Sequence, residues 1–177
     1  DFPFSILGTT GESIYTNSGV IQGFSSNTNI KSLHVGSNVK EIATDAFQVS
    51  TISNLSFSEG ITGIGVRAFY NQNGFAFDQP VEFPDSLTHI GNQSFGRNAL
   101  KGGIKFGQNL KTIGTNAFVY ASNLGRVDIP DSVNQASNAF AYSDITASKI
   151  GTGLSTTAIK NMFQATNSLT GIEVSEN

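Results

Sequence analysis

At 177 residues and 18.7 kDa, the chain has the length of one domain or of one run of short repeats, enough to bury a substantial core. Ten basic against 13 acidic residues leave a net charge of -3, which offers no basic footprint for nucleic acid or for an anionic membrane surface. The apolar runs of a few residues fall far short of the roughly 20 that a spanning helix needs, and the absence of cysteine excludes disulfides, thiolate metal sites and a cysteine nucleophile. The aromatic content is skewed: 14 Phe stand against 4 Tyr and no Trp.

In chain order the first stretch, residues 1–19, is an N-terminal cap or degenerate repeat. Phe2, Phe4, Ile6, Leu7, Ile14 and Tyr15 supply the apolar surface to cover a first rung. The chain starts at Asp1 with no initiator Met, leader or tag, as expected of a processed, excised or incompletely represented chain. Residues 20–177 then form one repetitive domain. A small residue followed by Phe recurs at Gly23-Phe24, Ala46-Phe47, Ala68-Phe69, Ser94-Phe95, Ala117-Phe118 and Ala139-Phe140, with Met162-Phe163 as a looser member. The steps between these phenylalanines are 23, 22, 26, 23, 22 and 23 residues. A period in this range is the signature of a solenoid, whose units bury their apolar faces by stacking on neighbours.

In phase with the Phe ladder runs an apolar-polar-apolar triplet: Leu33-His34-Val35, Leu55-Ser56-Phe57, Val81-Glu82-Phe83, Ile104-Lys105-Phe106, Val127-Asp128-Ile129 and Ile172-Glu173-Val174, with Lys149-Ile150 degenerate. This alternation predicts a strand with one buried face. Further apolar columns precede it (Ile30, Ile52, Leu124, Leu169) and follow it (Val39, Ile61, Leu87, Leu110, Val133, Leu154, then Ile42, Ile64, Ile90, Ile113 and Ala136). Turn chemistry at Pro84-Asp85-Ser86, Pro130-Asp131-Ser132, Gly36, Gly107 and Gly151 ends each strand. Gly65, Gly91 and Gly114 mark a corner that needs positive φ or close backbone approach. Thr44, Asn92, Asn116 and Asn138 are placed to cap a helical or 3₁₀ turn carrying Phe.

The script in Val127-Asp128-Ile129-Pro130-Asp131-Ser132-Val133 and Leu110-Lys111-Thr112-Ile113-Gly114-Thr115-Asn116-Ala117-Phe118 resembles the BspA-type leucine-rich repeat of bacterial and protist surface proteins, over about residues 20 to 175. The resemblance implies a β-rich leucine-rich-repeat solenoid of six to seven repeats of 22–26 residues, with one stacked sheet of parallel strands and short helical or 3₁₀ turns. It also implies adhesion through an exposed sheet face. Where the family commonly has Cys, three residues after Phe, this chain has Ser50, Gln72, Asn98, Ala121, Ser143 and Thr166.

The outward strand position reads His34, Ser56, Glu82, Lys105, Asp128, Lys149, Glu173. Its signs alternate from Glu82 onward, so the expectation is a ladder of opposite charges on strands about 4.8 Å apart, available to a protein partner. The 26-residue step holds an insertion, Asn71 to Asp78, with an Asn73-Gly74 turn; Phe75 and Phe77 are its candidate contacts, Phe77 alternatively filling the column before the strand. His34 and His89 fall at different phases of the unit, so no metal or other cofactor is expected. Glu82 and Asp128 are the carboxylates of a carbohydrate-active enzyme, a distant third reading, but Lys105 stands between them. The leading expectation is a non-enzymatic binding module, extracellular or on a cell surface, whose partner is a host matrix or surface protein. The alternative is a structural subunit, such as a virion decoration or fibre protein or an extracellular filament, with a neighbouring subunit on the C-terminal strand edge. Neither nucleic acid nor membrane insertion is expected.

Overall fold

The computed structural model describes residues 4–7, 13–16, 19–71 and 76–176, the first two stretches by their backbone course alone. In chain order the strands are β1 (Phe4–Leu7), β2 (Ser13–Thr16), β3 (Gly19–Ile21), β4 (Ser32–Val35), β5 (Val39–Ile42), β6 (Asn54–Phe57), β7 (Gly63–Ile64), β8 (Ala76–Phe77), β9 (Val81–Glu82), β10 (His89–Ile90), β11 (Ala99–Leu100), β12 (Ile104–Lys105), β13 (Thr112–Ile113), β14 (Ala147–Ile150) and β15 (Gly171–Val174); a helix, α1 (Thr156–Met162), precedes the last. They form a parallel solenoid of about seven turns, as the period requires.

The predicted triplet strands line one face: β4 and β6 pair in parallel register, β9 pairs with β12, and β14 with β15, while β2, from the stretch read as a cap or degenerate repeat, pairs in parallel on the free edge of β4. Strand β1 runs antiparallel along the other edge of β2. The single stacked sheet that the resemblance implies is not the whole architecture. A second parallel sheet, in the order β13-β10-β7-β5-β3, carries Ile42, Ile64, Ile90 and Ile113 inward, and a short third pairing joins β8 to β11. Three strands of the second sheet are only two residues long, too short to show period-2 alternation.

The phenylalanine column is continuous. Phe24, Phe47, Phe69, Phe95, Phe118, Phe140 and Phe163 stack ring on ring, with centroids 5.0 to 5.9 Å apart. Phe57, Phe83 and Phe106 form the parallel strand column, and Phe83 meets Phe95 edge to face at 5.4 Å, so the two columns interlock.

Phe163 closes a capped helix, but from Phe47 to Phe140 each Phe sits on a tight double turn, not on the capped helical turn expected. The residue two before it (Asp45, Arg67, Gln93, Asn116, Asn138) and, in most units, the residue two after it (Val49, Arg97, Tyr120, Tyr142) are in the left-handed region, φ 51 to 63°. This alternation divides the amides. In the Phe47 corner, Asp45, Phe47 and Val49 donate to the next rung, while Ala46, Gln48 and Ser50 close turns within their own. The six amides of residues 45–50 are thereby satisfied without a helix. Asn116 and Asn138, expected as caps, supply the left-handed residue themselves, a conformation Asn tolerates. α1, before Phe163, is the one helix among the described residues.

The corner glycines Gly65, Gly91 and Gly114 need close approach, not positive φ: a Cβ on any of them falls 2.5 to 2.6 Å from backbone atoms of the preceding rung. At the strand-ending turns, acidic side chains reach from rung to rung. Glu59 accepts from the amides of Asp85 and Ser86 at 3.0 and 2.9 Å, Asp85 from Gln108 at 2.7 Å and Asp131 from Thr152 at 3.0 Å. At the outer corner the hydrogen bonds and charge of Asp45 raise the pKa of Arg67 above its ordinary value.

The column that is commonly Cys in this family stays largely buried, with Ser50, Asn98, Ala121 and Ser143 inside; Gln72 lies outside the described residues. Ser94, in the small-residue column with Ala46, Ala68, Ala117 and Ala139, is fully buried, and its hydroxyl has no hydrogen-bond partner among the described residues. Ser94→Ala removes that unpaired oxygen without changing shape. It should stabilise the fold by about 1 kcal/mol, read as a higher urea midpoint at unchanged slope.

Candidate functional site

The triplet-strand face is not one unbroken ladder. No backbone pairing joins β6 to β9, or β12 to residues 126–129, among the described residues; pairing resumes through Arg126 with Ala147 and Ile129 with Ile150. The interruptions have a sequence cause. The units feeding β9 and β12 carry one more residue between the preceding apolar column and the strand: Phe77 is followed by Asp78-Gln79-Pro80 and Leu100 by Lys101-Gly102-Gly103. Pro80 has no amide to donate, and Gly102 packs against Pro80.

Clefts open along this face. One of about 400 Å³ is lined by His34, Ser56, Phe57, Gln79, Pro80 and Glu82. A second, about 470 Å³, lies between Glu59, Glu82, Lys105 and the turn at Pro84-Asp85. The third, about 500 Å³, is lined by Lys105, Gln108, Arg126, Asp128, Asp131 and Lys149. The outward residues expected to share a face therefore do so: His34 with Glu82, Glu82 with Lys105, and Lys105 with Asp128 and Lys149 are paired off by successive clefts.

Their electrostatics differ from the simple alternation. Arg126 Nε holds Asp128 at 2.8 Å, and its Nη2 lies 3.6 Å from Glu173, which also faces Lys149 Nζ at 3.6 Å. The amide of Lys149 donates to Asp128 at 3.1 Å. Arg126, an outward residue on the rung of Asp128, thus takes the carboxylate expected to face Lys105. Its signal was in the alternation, two positions before Asp128. Glu82 and Lys105 are register partners across β9 and β12, yet neither forms an ion pair among the described residues. His34 is held by hydroxyls, Nδ1 being 2.9 Å from Ser56 Oγ and Nε2 3.3 Å from Ser58 Oγ.

The two insertion candidates separate. Phe77 is 3% exposed, in register with Leu100 and at 6.2 Å from the Phe69 ring, so it belongs to the core and is withdrawn as a contact residue. Phe75 lies outside the described residues, as does the Asn73-Gly74 turn. Among the described residues no cluster of three or more His, Asp or Glu could hold a metal ion, and no helix is long and apolar enough to cross a membrane.

The model of the BspA type leucine rich repeat region matches residues 16–80 and 77–177, in six copies. The chain belongs to this family. The match starts at Thr16, the last residue of β2, so most of the stretch expected as a cap or degenerate repeat lies before it. The crystal structure of the pneumococcal vaccine antigen PcpA is similar, with a TM-score of 0.67 and 24% identity over 84% of this chain. The chain spans 42% of that protein's length, and the likeness bears on the fold. No curated protein matches the sequence.

Proposed function

We propose that this BspA-type chain is a non-enzymatic protein-binding module of a cell surface or secreted protein, acting in adhesion through the triplet-strand face. The observation that carries this reading is the interrupted ladder: the clefts sit where strands stop pairing, and Lys105, shared by two of them, has no ion-pair partner among the described residues. A scaffold whose turns, corners and core repeat with little variation, while its outward strand positions change from rung to rung, separates folding from recognition. A partner carboxylate at Lys105 would be flanked by the apolar edges of Phe57 and Phe106.

The test uses immobilised extracellular-matrix proteins as the probe. Saturable binding to a member of that panel is expected, reduced about tenfold or more by Lys105→Glu and unchanged by Lys111→Glu, with identical circular dichroism. Binding that is absent, or insensitive to Lys105→Glu, overturns the reading. The alternative, a structural subunit of a larger assembly, draws on β15, whose four residues are all exposed, Ile172 and Val174 about half so. Self-association in light scattering that survives Lys105→Glu favours that alternative.

A further inference from the structure

Away from the clefts, four successive rungs place an aromatic and cationic stripe along the outer side of the phenylalanine corners. Arg97 Nε donates to Tyr70 Oη at 2.9 Å, and its guanidinium carbon lies 4.8 Å above the Tyr120 ring. Tyr120 stacks on Tyr142 with centroids 5.0 Å apart and planes at 19°. Both tyrosines are 48% exposed. None of the four residues lines any of the three clefts.

Two observations mark the stripe as more than decoration. Arg97, Tyr120 and Tyr142 occupy the left-handed position after the phenylalanine, φ 63, 54 and 57°. There the backbone favours Gly or Asn, and a large side chain works against local preference. Arg97 is also the arginine without a carboxylate: Arg67 pairs with Asp45, and Arg126 with Asp128 and Glu173. Its Nε is committed to Tyr70 and one face to Tyr120, which fixes the plane of the guanidinium in advance. The two Nη groups have no hydrogen-bond or ion-pair partner among the described residues.

We propose that this stripe is a second interaction surface that binds an acidic segment of a protein partner, with a carboxylate on the Arg97 fork and an adjacent apolar residue against the Tyr120-Tyr142 pair. A planar, pre-oriented guanidinium suits a carboxylate better than any other side chain. Tyr and Arg are enriched at binding hot spots; Tyr buries a large area at small entropic cost, and Arg97 is already oriented by Tyr70 and Tyr120. Arg97 and Tyr142 cover the two faces of Tyr120, so a partner meets its edge and hydroxyl there and the outer side of Tyr142 beyond it.

The probe is a phage-displayed library of random peptides of about twelve residues, selected on the whole chain; enriched peptides are synthesised and titrated against wild type, Arg97→Lys, Tyr142→Ala and Lys111→Glu. Arg97→Lys keeps the charge and loses the fork, and circular dichroism verifies that each variant is folded. The expected result is enrichment of Asp or Glu beside an apolar residue, with affinity about tenfold lower for Arg97→Lys and Tyr142→Ala and unchanged for Lys111→Glu. Peptides without acidic enrichment, or with equal affinity for wild type and Arg97→Lys, overturn the proposal. So does a chain that selects no peptide but binds a uronic or sialic acid oligosaccharide, which would reassign the stripe to glycans.

Discussion

Phe95→Ala is expected to lower stability by about 4 kcal/mol. Phe95 is fully buried and stacks between Phe69 at 5.0 Å and Phe118 at 5.5 Å, while Phe83 and Phe77 meet it at 5.4 and 6.1 Å. It therefore joins the two phenylalanine columns at the middle of the stack. Removing the ring loses its burial and leaves a void that flanking rungs, fixed by their own hydrogen bonds, cannot close. In a solenoid each rung touches only its neighbours, so the damage concentrates between the two halves. Thermal unfolding followed by circular dichroism should start at a markedly lower temperature and broaden. Phe24→Ala, at the end of the column, half-buried and stacked on Phe47, should lose only about 1 to 2 kcal/mol. Equal losses at the two positions would refute the interlocked-column account.

Gly91→Ala should cost about 3 kcal/mol through overpacking instead of a void. A Cβ at Gly91 would lie 2.6 Å from the carbonyl carbon of Gly65 and 2.7 Å from the amide nitrogen of Val66. Neither is the end of a flexible side chain. The rung spacing is held by Gly91 donating to Ile64 at 2.7 Å and Gly114 donating to Ile90 at 2.8 Å, so relief requires breaking the stack on both sides. Gly125→Ala is the comparison: nothing lies within 4 Å of its Cβ, but its φ is +60°. Only the backbone preference is at stake there, about 1 kcal/mol. Urea titrations of the two variants should keep that order; a larger loss at Gly125 would show that conformation, not contact, governs the corners.

The two phenylalanine ladders and the triplet strands were legible because they repeat: a core residue recurring every 22 to 26 positions cannot hide, even when each copy is weak. The left-handed corners were not, because Arg67, Gln93 and Tyr120 carry no local mark of positive φ; the rung-to-rung amides impose it. The charges on the strand face lie outward as read but do not form an even ladder, since backbone pairing stops between β12 and residues 126–129 and Arg126 takes Asp128 and Glu173. The Arg97-Tyr120-Tyr142 stripe escaped because its members are 23 and 22 residues apart and mean nothing singly. Reading the second position after each phenylalanine, as the third was read, would have lined them up.

The hydrogen bonds that join the rungs all run along the solenoid axis, and that direction governs how the molecule answers a pull. Tension applied between the two ends loads those bonds head-on, one rung at a time, instead of shearing many together. Each rung that peels away releases 22 to 26 residues, or roughly 75 to 90 Å of extended chain. A protein of this build strung between two anchored surfaces would lengthen in steps while its remaining rungs stayed folded, giving an attachment that stretches under load before it breaks.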